Sequence, residues 1–353
     1  MFKNNNKVIV VGNLGYVGPL ITQLLRQRKY FVKGIDVNYF SDNENIISYK
    51  KKNYLPNIQI FRDIRKLQNE DLKGFDKIVI LAALSNDPLG QLNKDITKSI
   101  NINATKNLIA KCYKLNFKKI IFASSCSVYG FPKNKKDIVK ETHRINPLTE
   151  YAKSKIKIEN YAKTKRARST KFVSLRFGTA CGISPNMRFD IVLNNMFAHS
   201  KIEDKIKIFS DGTPWRPMID VEDMSKLIYF FLSTKKKLKD YNVFNAGSNK
   251  CNYTVLDLAK KIKKFVPKSN ILIYNKNVND KRSYKVNFKK INNFLGKNYK
   301  FKSIDLSCSD LNKWFNRAKI KKISKIYSKK YIRLKKINDL ILRKKVKKKL
   351  EFI

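Results

Sequence analysis

Tyr151 and Lys155 form the residue pair with the clearest chemical potential in this sequence. A phenol and an ammonium group four positions apart lie on the same face of a helix, one turn from each other. The nearby positive charge favours the phenolate, so a tyrosine that ordinarily titrates near ~10 can accept a proton closer to neutrality. Ser124 and Ser125 precede this pair and add two hydroxyl groups. Together with a glycine-rich segment near the amino terminus, these residues predict proton-coupled hydride transfer at a secondary alcohol.

The glycine-rich segment follows an apolar run at residues 8–11 and precedes a helical pattern at residues 20–28. Glycines in this context allow a tight turn and let the backbone approach a pyrophosphate at the helix amino terminus. The spacing is Gly-x-x-Gly-x-x-Gly, which differs from the Gly-x-Gly-x-x-Gly of simple dehydrogenases. The segment predicts a dinucleotide cradle formed by Gly12, Asn13, Leu14, Gly15, Tyr16, Val17 and Gly18.

Asp36 ends the second apolar run and lies 18 residues after Gly18. A carboxylate at this position can hydrogen-bond the ribose hydroxyls and would repel a 2′-phosphate, which predicts NAD rather than NADP as the cofactor. An exposed aspartate that merely begins a loop is the alternative. Asp63 and Ile64 follow the third run and are predicted to contact the adenine edge.

Short apolar runs alternate with helical patterns through the first half of the chain. The runs lie at residues 8–11, 31–35, 58–61, 78–81, 120–123 and 172–176, and helices are predicted at 20–28, 100–115 and 151–165. This alternation is typical of a parallel sheet covered on both faces. The predicted fold class is therefore α/β, a Rossmann-type doubly wound parallel sheet that binds its ligand at the carboxyl ends of the strands.

The alternation stops after about Gly178, where a smaller, discontinuous α/β substrate lobe is predicted. Helices are expected at residues 189–200, 221–232 and 254–265, and a strand at 243–247 could return to the main sheet. The predicted domains are a dinucleotide-binding domain at 1–178 with a returning segment near 219–247, a substrate-binding lobe at 179–318 and a basic tail at 319–353.

The formal net charge of +50 raises the question of a nucleic-acid or membrane partner. Lysine is abundant throughout the chain, including loops without interleaved aromatic residues, which favours a solvated surface. The tail contains 15 Lys or Arg residues against two acidic ones. Its apolar residues recur at helical spacing, at Ile320, Ile323, Tyr327, Leu334, Ile337 and Ile341. A tail docked on its own domain or frayed is one interpretation, and binding to an anionic membrane surface or acidic partner is the other.

Cysteine and histidine usage argues against a metal site. The chain has five dispersed cysteines, no Cys-x-x-Cys pair and two histidines, so a zinc site is improbable. Scattered thiols suit a reducing compartment. The polar first residues do not have the layout of a signal peptide, and no apolar run approaches the roughly 20 residues that span a bilayer. These observations predict a cytoplasmic protein.

The ordered motifs resemble those of the extended short-chain dehydrogenase/reductases, and more narrowly the NAD-dependent epimerase/dehydratase family that acts on nucleotide sugars. The resemblance covers roughly residues 7–315. Its motifs are the glycine-rich segment, Asp36, Asp63-Ile64, Leu81-Ala82-Ala83, Ser124-Ser125 before Val128-Tyr129-Gly130, and Tyr151-x-x-x-Lys155.

The resemblance implies a role for each matching residue. Tyr151 corresponds to the acid/base, Lys155 to the residue that lowers its pKa and holds the nicotinamide ribose, and Ser125 to the hydroxyl that binds the reacting oxygen, with Ser124 as the neighbouring candidate. Further cofactor contacts are implied for Leu81, Ala82, Ala83, Asn101, Ser124 and Phe177. Substrate contacts are implied for Ser85, Ser125, Thr179, Arg188, Asn195, Arg216 and Arg282, where the arginines suit a diphosphate.

Two departures from the family pattern narrow the expected chemistry. The 4,6-dehydratases have an acidic pair directly after the catalytic hydroxyl, and the corresponding residues here are Cys126 and Ser127. Neither can serve as the required acid, so dehydration is disfavoured. The asparagine that often follows the sixth strand in galactose-type epimerases is Thr179 here, which makes that sugar specificity doubtful.

The resemblance leads to one expected function and two alternatives. The expected function is nucleotide-sugar epimerisation at C4, by transient hydride transfer to bound NAD through a 4-keto intermediate. A nucleotide-sugar dehydrogenase or reductase is the first alternative, and a non-catalytic nucleotide- or RNA-binding scaffold is the second. The family usually dimerises through two helices from each subunit, which correspond to about residues 94–113 and 150–165, so a homodimer is also expected.

Overall fold

A computed structural model describes residues 6–40, 53–85, 87–131, 137–165, 167–274, 283–347 and 349–351. The strands are β1 (Lys7–Val11), β2 (Phe31–Asp36), β3 (Ile58–Phe61), β4 (Lys77–Ile80), β5 (Lys119–Ser125), β6 (Ile138–Val139), β7 (Lys171–Phe177), β8 (Thr179–Cys181), β9 (Lys205–Ile208), β10 (Trp215–Asp220), β11 (Tyr241–Ala246), β12 (Asn252–Thr254), β13 (Asn270–Ile273) and β14 (Lys285–Val286). The α-helices are α1 (Gly18–Gln27), α2 (Asp87–Leu92), α3 (Lys94–Thr97), α4 (Thr105–Lys114), α5 (Glu150–Thr164), α6 (Val192–Glu203), α7 (Val221–Ser233), α8 (Val255–Phe265), α9 (Lys289–Leu295), α10 (Ile304–Ala318), α11 (Ile323–Ile326) and α12 (Arg333–Leu342). Among these described helices, none combines the length and apolar character needed to cross a bilayer.

A parallel sheet forms the centre of the larger lobe. The described strands follow the order β11-β7-β5-β4-β1-β2-β3, and every neighbouring pair is parallel. The strand order reverses between β1 and β4, and a crevice for a ligand opens at such a point, beyond the carboxyl ends of the strands. The prediction of a Rossmann-type α/β fold is therefore confirmed.

Apolar residues of the central strand face both sides of this sheet. Val8 and Val10 belong to one buried cluster, whereas Ile9 and Val11 belong to the cluster on the opposite face. Successive side chains of a strand point to opposite faces, so a strand covered on both faces must be apolar throughout. This requirement explains why the continuous apolar runs predicted the sheet strands so closely.

The smaller lobe contains a third buried cluster around helix α6 and helix α8. Its described strands pair as β12-β10-β8 and as β13-β9, while β14 pairs with β6. Strand β11 leaves this lobe and pairs in parallel with β7, which confirms the predicted returning strand. The division of the chain into domains at the predicted boundaries stays a prediction.

Two predicted helices differ from the observed ones. The helix expected at residues 189–200 begins only at Val192, because Asp190 pairs with Arg188 and the amide of Asn194 donates to the Arg188 carbonyl oxygen at 3.0 Å. The helix expected at 100–115 instead has a π-helical stretch at Lys98–Ala104 that runs directly into α4.

The basic tail docks on both lobes. It forms α11 and α12 rather than one continuous helix. Ile326 is fully buried in the cluster of the smaller lobe, whereas Ile337 and Leu340 are buried in one of the sheet clusters. Farther along, Leu350 is buried in the same sheet cluster. The apolar face of the tail therefore covers the protein itself, which supports the docked interpretation.

Candidate active site

A large cavity of about 930 Å³ opens at the carboxyl ends of the sheet strands and extends to the smaller lobe. Most of the predicted site residues line it, namely Gly12, Gly15, Tyr16, Val17, Gly18, Asp36, Asp63, Ile64, Leu81, Ala82, Ala83, Ser85, Ser124, Ser125, Tyr151, Lys155, Phe177, Thr179, Arg188, Asn195 and Arg216. Of the described candidates, Asn13, Leu14 and Asn101 are not part of its lining. Arg282 lies outside the described residues.

The glycine-rich loop approaches the neighbouring backbone too closely for a side chain. A Cβ added to Gly12, whose φ is +91°, would lie 2.6 Å from the backbone nitrogen of Ala82. A Cβ on Gly18 would lie 2.4 Å from the carbonyl group of Asn13. Helix α1 begins at Gly18, so its unpaired N–H groups and positive dipole end face the cavity. This arrangement fits a dinucleotide pyrophosphate.

Asp36 fixes the glycine-rich loop as well as lining the cavity. Its carboxylate accepts hydrogen bonds from the backbone nitrogens of Leu14 at 3.0 Å and Asn38 at 2.8 Å. Burial raises the pKa of Asp36, and these hydrogen bonds oppose the rise. Asn13 points away from the cavity because its amide nitrogen donates to the Gln59 side chain at 2.7 Å.

A second loop supports the glycine-rich loop from the smaller lobe. The Asn186 amide donates to the Leu14 carbonyl oxygen at 2.7 Å, and the Ser184 hydroxyl donates to the Tyr16 carbonyl oxygen at 2.6 Å. The Tyr16 hydroxyl donates in return to the Gly182 carbonyl oxygen at 2.6 Å. These contacts between distant segments were not predicted, because the sequence contains no local signal for them.

Helix α5 presents the predicted catalytic pair to the cavity. Thr149 caps its amino end, because the Thr149 hydroxyl accepts a hydrogen bond from the Ala152 backbone nitrogen at 3.2 Å. The Lys155 ammonium nitrogen lies 5.2 Å from the centroid of the Tyr151 ring and 4.8 Å from that of the Phe122 ring. Lys155 therefore lies next to the Tyr151 ring, as the four-residue spacing on one helix predicts.

Lys155 is buried, with 4% of its surface exposed. Burial lowers its pKa to about 7, although the Glu159 carboxylate one turn farther along α5 opposes this change. Because the folded pKa is below the ordinary value, the folded protein binds fewer protons than the unfolded chain between about pH 7 and ~10.4. Stability from this group therefore rises with pH across that window.

Replacing Lys155 with methionine is expected to stabilise the fold. Removing a buried cation should raise the free energy of unfolding by about 2–4 kcal/mol at and below pH 7, and the gain should vanish toward pH ~10.4. Urea unfolding of the nucleotide-free protein at several pH values measures this change. Lys163→Met removes an exposed charge from the same helix and should stay within about 0.5 kcal/mol of the wild type. Equal stabilities of Lys155→Met and the wild type would contradict the assigned burial cost.

The two adjacent serines have different surroundings. Ser124 is buried and its hydroxyl donates to the Glu159 carboxylate at 2.6 Å. Ser125 caps a short 3₁₀ turn, Cys126–Tyr129, and its hydroxyl oxygen accepts a hydrogen bond from the Ser127 backbone nitrogen at 3.1 Å. The Ser125 hydroxyl also lines the cavity, so its proton can be donated to an oxygen bound there.

Glu159 of helix α5 forms a buried ion pair with Arg176 that the sequence analysis did not predict. Arg176 contacts Glu159 through two nitrogens, with the shortest distance 2.6 Å, and also donates to the Tyr129 hydroxyl at 2.9 Å. Glu159 thus connects Ser124, Arg176 and the charge of Lys155. A glutamate four residues after Lys155 was the available signal, since it must share the same helix face.

The predicted substrate residues occupy the cavity wall nearer the smaller lobe. Arg188 forms a bidentate ion pair with Asp190 and donates to the Ser85 hydroxyl at 3.2 Å. Arg216 donates to the Trp215 carbonyl oxygen at 2.9 Å. The Asn195 amide donates to the Phe189 carbonyl oxygen at 2.9 Å and so helps to hold the turn before α6. Their substrate-binding roles stay predictions.

An aromatic pair at the same end of the cavity was not predicted. Phe209 lines the cavity and stacks on Tyr274, with ring centroids 5.6 Å apart and an interplanar angle of 22°. The rings are 57% and 52% exposed, which is unusual for stacked aromatic side chains in a folded lobe. Such a platform can accept a planar ring by stacking.

The thiols and carboxylates show no metal-binding arrangement. Within the described residues, no three His, Cys, Asp or Glu side chains gather as a potential metal site. All five cysteines are free and buried. Burial raises the pKa of the Cys126 thiol, which donates to the Arg176 carbonyl oxygen at 3.0 Å.

The fold and the site together define the class of protein. A parallel sheet with a glycine-rich loop, an acidic residue after its second strand and a Tyr-x-x-x-Lys helix at one cavity is the arrangement of an extended short-chain dehydrogenase/reductase. The chain belongs to the NAD dependent epimerase/dehydratase family, whose model matches residues 8–247. The predictions of this family and of NAD as its cofactor are confirmed.

Several of the proteins that this chain resembles have the names of epimerases, and another similar structure is that of an NDP-hexosamine 5,6-dehydratase. A putative UDP-glucose 4-epimerase of Methanocaldococcus jannaschii is 28% identical over 246 residues, which are 69% of this chain and 77% of that protein. An N-acetyl-alpha-D-glucosaminyl-diphospho-ditrans,octacis-undecaprenol 4-epimerase of Escherichia coli O157:H7 is 31% identical, but the match spans 44% of this chain and 42% of that relative. The crystal structure of the UDP-glucuronic acid 4-epimerase of Bacillus cereus has a TM-score of 0.72 at 24% identity, over 88% of this chain and 99% of that one. This last similarity supports the fold.

Proposed function

We propose that the protein is an NAD-dependent nucleotide-sugar epimerase that inverts C4. The observation that carries this proposal is the shared cavity, which is lined by the glycine-rich loop, by Ser125, Tyr151 and Lys155, and by Arg216 and Phe209 of the smaller lobe. One continuous space thus joins a dinucleotide cradle, an acid/base group and a cationic and aromatic wall. The 28% identical relative over most of the chain carries the name of a 4-epimerase, which is consistent with this proposal.

The chain's own residues would act mainly through proton transfer and positioning. Bound NAD would supply a hydride acceptor that later returns the hydride. Tyr151, as the phenolate, would remove the proton of the C4 hydroxyl and give it back after the 4-keto sugar has presented its other face. The Lys155 ammonium would stabilise the phenolate, and the Ser125 hydroxyl would donate to the reacting oxygen. General-base catalysis of this kind contributes about 10²–10⁴-fold.

The smaller lobe would hold the nucleotide portion while the sugar turns. Arg216 is positioned for the diphosphate, because a guanidinium fork matches phosphate oxygens. Arg188 is less suited to this role, since Asp190 already takes two of its nitrogens. The Phe209 and Tyr274 pair offers a stacking surface for the nucleobase. A substrate fixed at its nucleotide end leaves the sugar free to rotate beside Tyr151.

A substrate panel tests the proposal. Purified protein incubated with UDP-activated hexoses should convert one of them to its C4 epimer, read by NMR, with no net absorbance gain at the NADH wavelength. A keto product together with equimolar NADH would instead support the dehydrogenase alternative. Loss of water from the sugar would show that a residue other than Cys126 or Ser127 supplies the acid for dehydration.

Two further expectations belong to this proposal. The homodimer would form through the helical face that includes Lys98–Ala104, α4 and α5, where a shallow hollow is lined by Ile102, Lys106, Lys157 and Tyr161 among others. Several lysines on this face would meet their copies, so salt should strengthen such a dimer. A cytoplasmic location also stays a proposal.

A further inference from the structure

Arg333 is a buried arginine of the tail that none of the family motifs includes. It begins helix α12, is 3% exposed and lines the large cavity. Its Nη2 donates to the Asn186 side-chain oxygen at 2.7 Å, and its guanidinium carbon lies 4.3 Å from the centroid of the Phe40 ring. Stacking on an aromatic ring holds a guanidinium in a fixed plane while its edge still makes hydrogen bonds. The Arg333 cation is therefore oriented at the cavity wall.

The surroundings of Arg333 place it at the coenzyme end of the cavity. Its partner Asn186 donates to the Leu14 carbonyl oxygen at 2.7 Å, which connects Arg333 to the glycine-rich loop. Burial raises the pKa of Asp36, and Arg333 is among the groups that oppose the rise. Burial would also raise the pKa of Asp190, but Arg188 and, more weakly, Arg333 keep it below its ordinary value. Arg333 is thus near both the predicted pyrophosphate cradle and the predicted ribose-binding carboxylate.

We propose that Arg333, at the start of helix α12, is a coenzyme-binding residue that meets the pyrophosphate of NAD. A dinucleotide carries its negative charge on the pyrophosphate, and a rigid guanidinium suits phosphate oxygens better than an ammonium group does. The glycine-rich loop, residues 12–18, contains no cationic side chain. Arg333 would supply one from a distant part of the sequence. The proposal rests on the NAD dependence of the family and not on inversion at C4.

Residues 349–350 of the tail form hydrogen bonds close to Asp63 and Ile64, the predicted adenine contacts. The Tyr39 hydroxyl donates to the Leu350 carbonyl oxygen. Arg65 donates to the carbonyl oxygens of Lys349 at 2.8 Å and Leu350 at 2.6 Å, while it also forms an ion pair with Asp63 at 2.5 Å. Arg333 and, separately, residues 349–350 of the tail therefore lie close to the predicted coenzyme contacts.

Calorimetric titration of nucleotide-free protein with three probes tests the proposal. Arg333→Met should bind NAD and ADP-ribose about 10- to 100-fold more weakly than the wild type, which is the usual effect of losing a hydrogen bond to a charged group. Binding of adenosine, which has no phosphate, should change less than twofold. Lys335→Met removes an exposed cation from the same helix and should leave all three affinities within twofold. Arg333→Lys keeps the charge without the fork and should give an intermediate loss.

Other outcomes would overturn the assignment. Unchanged NAD affinity in a folded Arg333→Met would exclude a pyrophosphate contact. Equal weakening of adenosine and ADP-ribose binding would make Arg333 a structural support of the site. If Arg333→Met does not fold, as judged by its circular dichroism spectrum, the same comparisons are decided with Arg333→Lys. No sugar substrate enters these titrations, so their failure is separate from failure of the proposed epimerase activity.

Discussion

Tyr151→Phe is expected to lower epimerase turnover at least 10³-fold, to the limit of detection, while NAD affinity stays within about threefold of the wild type. The phenol oxygen is the group that would move the proton, and phenylalanine keeps the ring that packs 5.2 Å from the Lys155 ammonium nitrogen. The ring should therefore hold the site together while the chemistry is lost. Rates come from NMR of the sugar product, and NAD affinity from calorimetry.

Tyr161→Phe provides the matched control for this prediction. Tyr161 lies on the same helix α5 but lines the outer hollow, where the Lys106 ammonium nitrogen is 5.4 Å from its ring centroid. Removal of its hydroxyl should leave turnover within twofold. A Tyr151→Phe variant that keeps more than a tenth of wild-type activity would show that another group moves the proton. A parallel loss of NAD binding would show that the hydroxyl serves the coenzyme rather than the sugar.

Gly12→Ala is expected to destabilise the protein by about 2–5 kcal/mol and to weaken NAD binding at least tenfold. A positive φ costs an L-residue roughly 1–2 kcal/mol, and the added methyl group would meet the Ala82 backbone nitrogen at 2.6 Å. Forcing such a contact apart adds about 1–3 kcal/mol. Because the displaced segments belong to the coenzyme cradle, the binding loss should accompany the loss of stability. Denaturant unfolding and calorimetry measure the two effects.

Gly74→Ala separates the cost of backbone strain from the cost of the steric contact. Gly74 also has a positive φ of +81°, but nothing lies within 4 Å of an added Cβ. Its substitution should therefore cost only the backbone strain of about 1–2 kcal/mol and leave NAD binding unchanged. Equal destabilisation of Gly12→Ala and Gly74→Ala would mean that the cradle yields to the methyl group, which contradicts the tight approach to Ala82.

The larger lobe could be predicted from the sequence because its signals are local. A strand covered on both faces must be apolar at successive positions, and the buried strand β1 (Lys7–Val11) contains the run predicted at residues 8–11. The glycine spacing and the Tyr-x-x-x-Lys spacing also depend only on nearby residues. These local patterns were enough to predict the fold and the cofactor, and most of the predicted site residues line the cavity.

Contacts between distant segments could not be predicted in the same way. Helix α6 starts late because of the Arg188–Asp190 ion pair, which competes with the helix for the preceding residues. Arg333 reaches Asn186 across 147 positions, and no spacing rule connects them. The exposed residues Phe209 and Tyr274 likewise come directly after the two strands of a small separate sheet, β9 and β13. In each case tertiary packing determines where the residues lie, and no local pattern in a single sequence predicts such a contact.

The docked tail makes the two ends of the cavity unequal. At one end a continuous stretch of chain has Ile326 packed in the smaller lobe and Ile337 packed under the main sheet, so the lobes cannot separate there without exposing both. At the other end Phe209 and Tyr274 border an open rim. Sugar nucleotides would then bind and dissociate at the rim many times while the same coenzyme molecule stays bound. An enzyme that regenerates its own oxidant requires this order of binding and release.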